Sequence, residues 1–149
     1  MAKYKIEIAK KEDLSEVLEL IIGMHDEAST FYPPYNKNIM LRFMQPIINN
    51  GHCIILITDK KIVGAIGGVM AKWWFSENFY MADAFFFVDK KHRSYQNASA
   101  LLKQLNKIAN EKAIPLVVGT FDAKDIEKKD KFYEKLNFRK LGIRYGYGV

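Results

Sequence analysis

The chain has 149 residues, of which 49% are apolar and 27% are charged, and its formal net charge is +6 at pH 7. This balance is typical of one globular domain that buries a core, and it excludes general disorder and collagen-like or coiled-coil chains. No apolar run approaches the roughly 20 residues of a membrane span, and the polar start does not resemble a secretory signal. The sequence therefore predicts a single cytoplasmic domain over residues 1–149, with no membrane contact.

Cysteine usage and charge narrow the kinds of site to expect. Cys53 is the only cysteine and is followed by an apolar run, so we expect a buried thiol and no intramolecular disulfide. The sequence contains neither a CxxC nor an HExxH pattern, so we expect no metal. The positive charge would attract a phosphorylated cofactor, an acidic protein or nucleic acid, but the lysines are spread from Lys3 to Lys140. We therefore do not expect a nucleic-acid partner.

The first part of the chain changes from strand to helix periodicity. Residues 4–8 alternate apolar and polar side chains as a half-buried strand does, and Asp13 followed by Glu16 predicts a helix start. This helix is expected to end near Gly23. Helical spacing places five apolar residues on its buried face: Leu14, Val17, Leu18, Ile21 and Ile22.

A loop, a second helix and a hairpin follow. Residues 25–36 contain two prolines and several aromatics, which predict a loop that could lie over a site. A helix from Asn38 should end or kink at Pro46. Residues 52–58 and 62–70 are β-branched apolar runs separated by a short polar turn, so they predict a β-hairpin.

The rest of the chain alternates strands and helices. Residues 80–88 are continuously apolar apart from one aspartate, which predicts a strand in the middle of the sheet, covered on both faces. Residues 101–109 have helical spacing, residues 114–118 predict a short buried strand, residues 132–136 a helix, and residues 139–149 short terminal strands. The predicted fold is α/β, with a mixed, mostly antiparallel central sheet flanked by helices.

Two segments resemble the GNAT superfamily of acyl-CoA-dependent N-acetyltransferases, and the element order resembles its fold over essentially the whole chain. Residues 88–102, VDKKHRSYQNASALL, are similar to the family's cofactor segment, in which a loop with the pattern R/QxxGxG/A opens a helix. Arg93 and Ala98 occupy the first and last positions of that pattern. Gln96 stands where glycine is usual.

The second segment is FYEKLNFRKLG, residues 132–142, which is similar to the family's FYEKLGF ending. It departs from that ending at Asn137, and asparagine can adopt the left-handed conformation of a helix C-cap glycine. In many relatives the tyrosine of this segment protonates the departing thiolate of coenzyme A, so the resemblance implies this role for Tyr133. The alternative for Tyr133 is packing against the cofactor or the core.

The resemblance implies direct transfer of an acetyl group from acetyl-CoA to a primary amine of an unidentified acceptor. Backbone N–H groups at the start of the helix would bind the pyrophosphate, provided that residue 96 has ordinary helical dihedrals. A positive φ angle there would impair binding. The expected cofactor-binding residues are Phe87, Val88, Arg93, Ser94, Tyr95, Gln96, Asn97, Ala98 and Ser99.

Asp83 is the first candidate for the base that removes the amine proton. It interrupts an apolar strand beside the expected reaction centre, where burial would raise its pKa. A structural Asp83, bonded to a backbone amide or a lysine, is the alternative. His25, Asp26 and Glu27 form a second cluster at the end of the first helix, where this fold commonly builds its acceptor site.

The sequence leaves the catalytic activity, the class of acceptor and the lining of the acceptor site open. A catalytically impaired GNAT-like binding module is one alternative, which Gln96 supports. A GNAT acting on an RNA-linked amine such as charged tRNA is another, favoured if Lys37, Arg42, Lys72 and Lys107 lie on one face. The acceptor could be a small molecule or a protein. The aromatic residues 73–75, expected near Phe31, Tyr32 and Tyr35, would line an acceptor groove or a homodimer contact, and the alternative is packing in the core.

Overall fold

The computed structural model describes residues 3–28, 31–121 and 124–149. Within these ranges the α-helices and strands follow one another as β1 (Lys5–Ile8), α1 (Leu14–Glu27), α2 (Lys37–Asn49), β2 (Cys53–Thr58), β3 (Lys61–Lys72), β4 (Phe79–Val88), α3 (Tyr95–Glu111), β5 (Leu116–Val117) and α4 (Ile126–Lys135). Short 3₁₀ helices, Lys11–Asp13 and Lys90–His92, precede α1 and α3. None of the helices in the described part of the chain combines the length and apolar character needed to cross a membrane.

The strands form one sheet in the order β1-β2-β3-β4-β5. All neighbours are antiparallel except β4 and β5, which are parallel, so the predicted mixed and mostly antiparallel α/β fold is confirmed. The prediction that residues 80–88 form the middle strand was wrong, because β3 is in the middle and β4 lies next to the edge. The predicted strands at residues 139–149 do not form in this structure, which leaves β5 at the edge.

The β2–β3 hairpin is confirmed, and its turn explains its register. Asp59 and Lys60 have φ angles of 49° and 62°, the two consecutive positive values typical of a type I′ turn. That turn matches the natural twist of the flanking strands, so the two apolar runs pair without a long loop. Cys53 at the start of β2 is buried, and burial raises the pKa of its thiol to about 12.

The helices cover both faces of the sheet. α1 and α2 pack on one face together with Ile55 and Phe85, whereas α3 packs on the other face together with Ile54 and Ile66. The predicted apolar face of α1 is confirmed, since Val17, Leu18, Ile21 and Ile22 are buried and Leu14 packs against them. Each face of the sheet therefore has its own apolar cluster.

The ends of α1 and α2 differ from the predictions. Asp13 does not cap α1, because its carboxylate accepts the N–H of Lys10 and closes the preceding 3₁₀ turn. α1 continues past Gly23 to Glu27, and α2 continues past Pro46 to Asn49. In α2 the last turn buries two isoleucines, and this tertiary packing outweighs the single backbone hydrogen bond that a proline removes.

Gly67 provides a test of packing between β3 and β4. A Cβ atom at this position would lie 2.4 Å from Cζ of the buried Phe85 ring. We expect Gly67→Ala to lower the free energy of unfolding by about 1–3 kcal/mol through overpacking, measured by urea denaturation. The matched control is Gly142→Ala, whose added methyl group would meet no atom within 4 Å. Equal stability of the two variants would contradict this account.

Candidate active site

The two parallel strands of the sheet separate soon after they meet. Residues 81–82 of β4 pair with residues 116–117 of β5, and β4 then continues to Val88 without β5 beside it. At the point of separation, Oδ1 of Asp83 accepts the N–H of Gly119 at 3.0 Å. The Asp83 side chain thus accepts the N–H of Gly119 where a backbone carbonyl would accept it if the strands stayed paired. Beyond this point a gap opens between β4 and β5.

A β-bulge in β4 lies beside this gap. The β3–β4 register shifts where Gly67 and Gly68 face Phe85 and Asp83, so Ala84 is the extra residue. Bulges locally increase twist and re-aim side chains, and they are common next to active sites. The bulge directs the Asp83 side chain towards β5.

The backbone beyond the bulge exposes alternate residues to the gap. The N–H of Asp89 donates to the carbonyl of Val63 at 2.8 Å, which fixes the phase of the antiparallel ladder. Phe87 therefore directs its N–H and carbonyl towards β3, whereas Phe86 and Val88 direct theirs towards the gap. Of the two β4 residues predicted to bind the cofactor, Val88 lines the gap with its backbone and Phe87 does not.

Asp83 is half-buried and has a perturbed acidity. Burial raises the pKa of its carboxyl group to about 6, although the backbone hydrogen bond from Gly119 opposes the shift. A carboxyl group with this pKa is mostly ionised at neutral pH and can accept a proton there. The bond to a backbone amide, which the sequence left open as the structural alternative, is present through Oδ1.

Tyr133 of α4 packs edge-to-face against Phe132 and Phe138, with ring centroids 5.2 and 5.7 Å away. Burial, and then the negative charge of Asp83, raise the pKa of its phenol, so the hydroxyl stays protonated at neutral pH. Asn137 just after α4 has a φ angle of 66°, which confirms the predicted left-handed C-cap. This cap turns the chain so that the Phe138 N–H reaches the Tyr133 carbonyl at 3.0 Å.

The start of α3 has two N–H groups available for an anion. Ser94 caps the helix by accepting the Asn97 N–H, and its carbonyl accepts the Ala98 N–H, both at 3.1 Å. Among the described residues, the N–H groups of Tyr95 and Gln96 make no hydrogen bond that would block a ligand. A helix start with open N–H groups attracts anions.

Gln96 has the conformation that permits binding. It lies within α3 with an exposed side chain and without the positive φ angle that would require glycine. The neighbouring polar side chains face inward instead. Asn97 donates its amide to the His92 carbonyl at 2.7 Å, and the buried Ser99 donates its hydroxyl to the Gln96 carbonyl at 3.2 Å. These two side chains hold the loop and the first helical turn in place.

Arg93 joins the cofactor loop to the end of α1. Its guanidinium makes two 2.7 Å hydrogen bonds to the two carboxylate oxygens of Glu27, and its Nε donates to the Val88 carbonyl at 2.7 Å. The guanidinium also lies 5.0 Å from the centroid of the Phe87 ring. The hydrogen bond from Arg93 lowers the pKa of Glu27, so this carboxylate is poorly suited to act as a base.

The other two residues of the predicted cluster at the end of α1 are His25 and Asp26. Nε2 of His25 is bonded to the Pro33 carbonyl at 2.7 Å, and its ring packs edge-to-face on Tyr35. His25 therefore fastens the α1–α2 loop. Asp26 is exposed to solvent.

The structure adds contacts that the sequence does not predict. Tyr32 stacks on Phe121 with ring centroids 4.4 Å apart, and its hydroxyl donates to the Phe121 carbonyl. Lys124 donates to the Glu27 carbonyl at 2.6 Å. The α1–α2 loop thus rests on the segment that follows β5. No motif marks these contacts or that of Gly119, because their hydrogen bonds all use a main-chain group as donor or acceptor.

The basic residues proposed for RNA do not form one stripe. Lys37 and Arg42 lie on α2, and Lys107 lies on α3 across the sheet. Lys72 at the end of β3 pairs with Glu77. The aromatic segment 73–75 lies at the β3–β4 turn, where Trp74 is 93% exposed.

Solved structures with the same fold include acetyltransferases. The aminoglycoside N-acetyltransferase AAC(6')-Iy, in complex with the bisubstrate analogue CoA-S-monomethyl-acetylneamine, is 14% identical with a TM-score of 0.78, covering 99% of this chain and 98% of that one. AAC(6')-Ih from Acinetobacter baumannii is 16% identical with a TM-score of 0.72, at 99% and 98% coverage. A predicted acetyltransferase from Clostridium acetobutylicum, solved with acetyl-CoA, is 14% identical with a TM-score of 0.71, at 99% and 96% coverage.

These identities are low, so the structural likeness establishes the fold alone. No curated protein sequence matches the chain. A family model described as an acetyltransferase (GNAT) domain matches residues 49–140, which include the gap and the start of α3. Because this match spans more than half of the sequence, the chain belongs to the GNAT acetyltransferase family.

Proposed function

We propose that this protein is an N-acetyltransferase that takes an acetyl group from acetyl-CoA and transfers it directly to a primary amine. The observation that carries the proposal is the gap between β4 and β5, which has an ionisable carboxylate at one end and an open helix start near the other. The structural neighbours solved with acetyl-CoA or a CoA analogue support the choice of donor.

The donor would bind along the exposed edge of β4 and at the start of α3. The backbone groups of Phe86 and the N–H of Val88 suit the amide groups of the pantetheine arm, which would pair like a short extra strand. The N–H groups of Tyr95 and Gln96 suit the pyrophosphate. Arg93 supports this site by fixing the loop between strand and helix.

Asp83 and Tyr133 would supply the proton transfers. When the amine attacks the thioester carbonyl, Asp83 accepts the proton that the nitrogen loses. A backbone N–H of the β4 edge stabilises the negative charge that develops on the carbonyl oxygen. The carbon–sulfur bond then breaks, and Tyr133 donates its phenolic proton to the departing thiolate. Holding amine and thioester together removes about 7 kcal/mol or more of the entropic barrier.

The charges around the site favour an acceptor of low positive charge. Glu27 is neutralised by Arg93, and the whole chain carries a net charge of +6. A polycationic acceptor such as the aminoglycosides of the structural neighbours would be repelled at long range. We therefore favour an acceptor with a single amine, on a small molecule or a protein. The helical conformation of Gln96 supports a working donor site over an impaired binding module, because its side chain can point away from the backbone N–H groups.

Calorimetric titration with acetyl-CoA and with free coenzyme A, at two salt concentrations, tests the donor site. Micromolar binding that persists at the higher salt concentration supports it, because nonspecific charge attraction would be screened. A screen of primary amines, with detection of released thiol, then tests transfer. The panel includes monoamines, a polyamine, an aminoglycoside and peptides. The absence of donor binding would contradict the proposal.

Removal of the Tyr133 hydroxyl tests the acid. We expect Tyr133→Phe to lower kcat by about 100-fold, in the range of general acid catalysis, while acetyl-CoA affinity stays nearly unchanged. The control is Tyr147→Phe, which removes a hydroxyl from a fully exposed ring and should leave kcat unaltered. An unchanged kcat in Tyr133→Phe would restrict Tyr133 to packing.

Replacement of Asp83 by asparagine separates its proposed role as a base from its hydrogen bond with the Gly119 N–H. Folding raises the pKa of Asp83 to about 6, so ionisation costs stability as pH rises from about 4 through 6. Asp83→Asn keeps a carbonyl oxygen for the Gly119 N–H but cannot ionise. We expect its free energy of unfolding at pH 7 to rise by about 1–3 kcal/mol while kcat falls. The pH profile of wild-type kcat/KM should contain a rise with an apparent pKa near 6, and Asp83→Asn should lack this rise.

The control for this substitution is Asp26→Asn, which changes an exposed carboxylate near the site. We expect its stability and activity to match those of the wild type between pH 5 and 8. If Asp83→Asn retained full activity, Asp83 would have only its structural role.

The Gln96 position tests the phosphate site. We expect Gln96→Gly to bind acetyl-CoA as tightly as the wild type or more tightly, because the backbone N–H is retained and no side chain is needed. Isothermal calorimetry measures this affinity. A large loss of affinity would show that the Gln96 amide is itself a phosphate ligand.

A further inference from the structure

Three aromatic rings lie where the α1–α2 loop meets the segment that follows β5. The ring centroids of Phe31 and Tyr32 are 4.3 Å apart, and Tyr32 stacks on Phe121 at 4.4 Å with an angle of 8° between the ring planes. Phe31 and Phe121 are 46% and 38% exposed. We refer to Phe31, Tyr32 and Phe121 as the aromatic cluster. Its rings form an apolar surface that a ligand can contact.

The aromatic cluster lies close to the proposed base. The Gly119 N–H donates to Oδ1 of Asp83 at 3.0 Å, and Phe121 follows Gly119 by two residues. Because extended chain advances by at most about 3.6 Å per residue, the Cα atoms of Gly119 and Phe121 are no more than about 7 Å apart. A molecule whose amine reaches the Asp83 carboxylate therefore has its neighbouring atoms within reach of the cluster.

The proposed donor leaves this side of the gap free. Tyr133 and the start of α3 belong to the face of the sheet that contains Ile54 and Ile66, so coenzyme A would occupy that face. The aromatic cluster is joined instead to the end of α1, which packs on the opposite face. Lys124, in the same segment as Phe121, donates to the carbonyl of Glu27 at 2.6 Å. An acceptor can thus approach the thioester from the α1 side.

The polar groups beside the cluster are already engaged. The Tyr32 hydroxyl donates to the Phe121 carbonyl, and the Glu27 carboxylate is paired with Arg93. The rings themselves offer their faces and edges, and aromatic rings bind other rings in edge-to-face or offset-stacked arrangements beyond the gain from burying apolar area. This surface favours a flat apolar body over a strongly polar or polycationic one.

Building on the proposed function, we propose that the acceptor is an arylalkylamine, in which an aromatic ring is joined through a short spacer to a single primary amine. The ring packs against Phe31 and Phe121, and the amine lies at Asp83. The nitrogen forms an amide bond with the acetyl carbon, and the carbon–sulfur bond breaks. The proton that the nitrogen loses goes to Asp83, and the departing thiolate takes its proton from Tyr133.

Matched amines test the acceptor class, with release of the coenzyme A thiol as the readout. Phenethylamine and cyclohexylethylamine share the spacer and are similar in size, but only phenethylamine is aromatic, and ethylamine lacks the ring altogether. We expect wild-type kcat/KM for phenethylamine to exceed that for cyclohexylethylamine by about 5-fold through ring contacts. It should exceed that for ethylamine by about 100-fold, since burial of the whole ring is lost.

Leucine substitutions separate recognition from a purely structural role of the rings. We expect Phe31→Leu and Phe121→Leu each to lower kcat/KM for phenethylamine by about 5-fold, mainly through KM, and to change that for ethylamine by less than about 2-fold. Acetyl-CoA affinity, measured by calorimetry, should stay unchanged. The control is Phe43→Leu on α2, which alters a ring that is 51% exposed and should leave the preference for phenethylamine intact.

The same measurements distinguish failure of this acceptor from failure of the proposed function. If the protein binds acetyl-CoA but does not acetylate phenethylamine, or acetylates ethylamine or a peptide equally well, the arylalkylamine proposal is overturned and the donor site stands. An equal fall in kcat/KM for all amines in both leucine variants would restrict the cluster to holding the loop, which also overturns it. Absence of acetyl-CoA binding would contradict both proposals.

Discussion

The separation of β4 from β5 is the constraint on which the site depends. Parting two strands leaves backbone groups without partners, and each such buried group costs about 1–3 kcal/mol. The structure limits this cost with side chains, because Asp83 accepts the Gly119 N–H and Arg93 donates to the Val88 carbonyl. Within the described residues, the backbone groups of Phe86 and the N–H of Val88 stay open. The sheet is therefore stable while still offering a backbone edge to a ligand.

The ion pair between Arg93 and Glu27 matters for geometry more than for stability. Both side chains are about 40% exposed, so the pair contributes about 1 kcal/mol or less to folding. Its two parallel hydrogen bonds nevertheless fix the end of α1 against the loop that starts α3. Lys124 joins the same point through the Glu27 carbonyl. Three elements thus meet beside the gap, and the carboxylate that joins them is unavailable for proton transfer.

The sequence predicted what depends on local pattern and missed what depends on partners. Periodicity identified the buried faces of α1 and α3, and the C-cap at Asn137 followed from its side chain. Continuous apolarity at residues 80–88 reports burial but not strand order, so the position of β4 was misjudged. Packing also extended α1 beyond Gly23, although glycine costs a helix about 1 kcal/mol. Asp83 was proposed because a charge in an apolar strand is costly, and the structure places it where β4 and β5 separate. Gly119 acts through its backbone and therefore has no sequence signal.

Burial shifts the pKa values of both proposed catalytic groups. Burial moves the pKa of Asp83 up to about 6 and the pKa of Tyr133 further above neutrality. At pH 7 the carboxylate can therefore accept a proton while the phenol still holds one. After transfer the two states are reversed, and the same pKa values restore them. Asp83 then releases its proton to solvent because pH 7 lies above its pKa, and the Tyr133 phenolate takes up a proton because pH 7 lies far below its own. In the proposed cycle, protons thus leave the site from Asp83 and enter it at Tyr133.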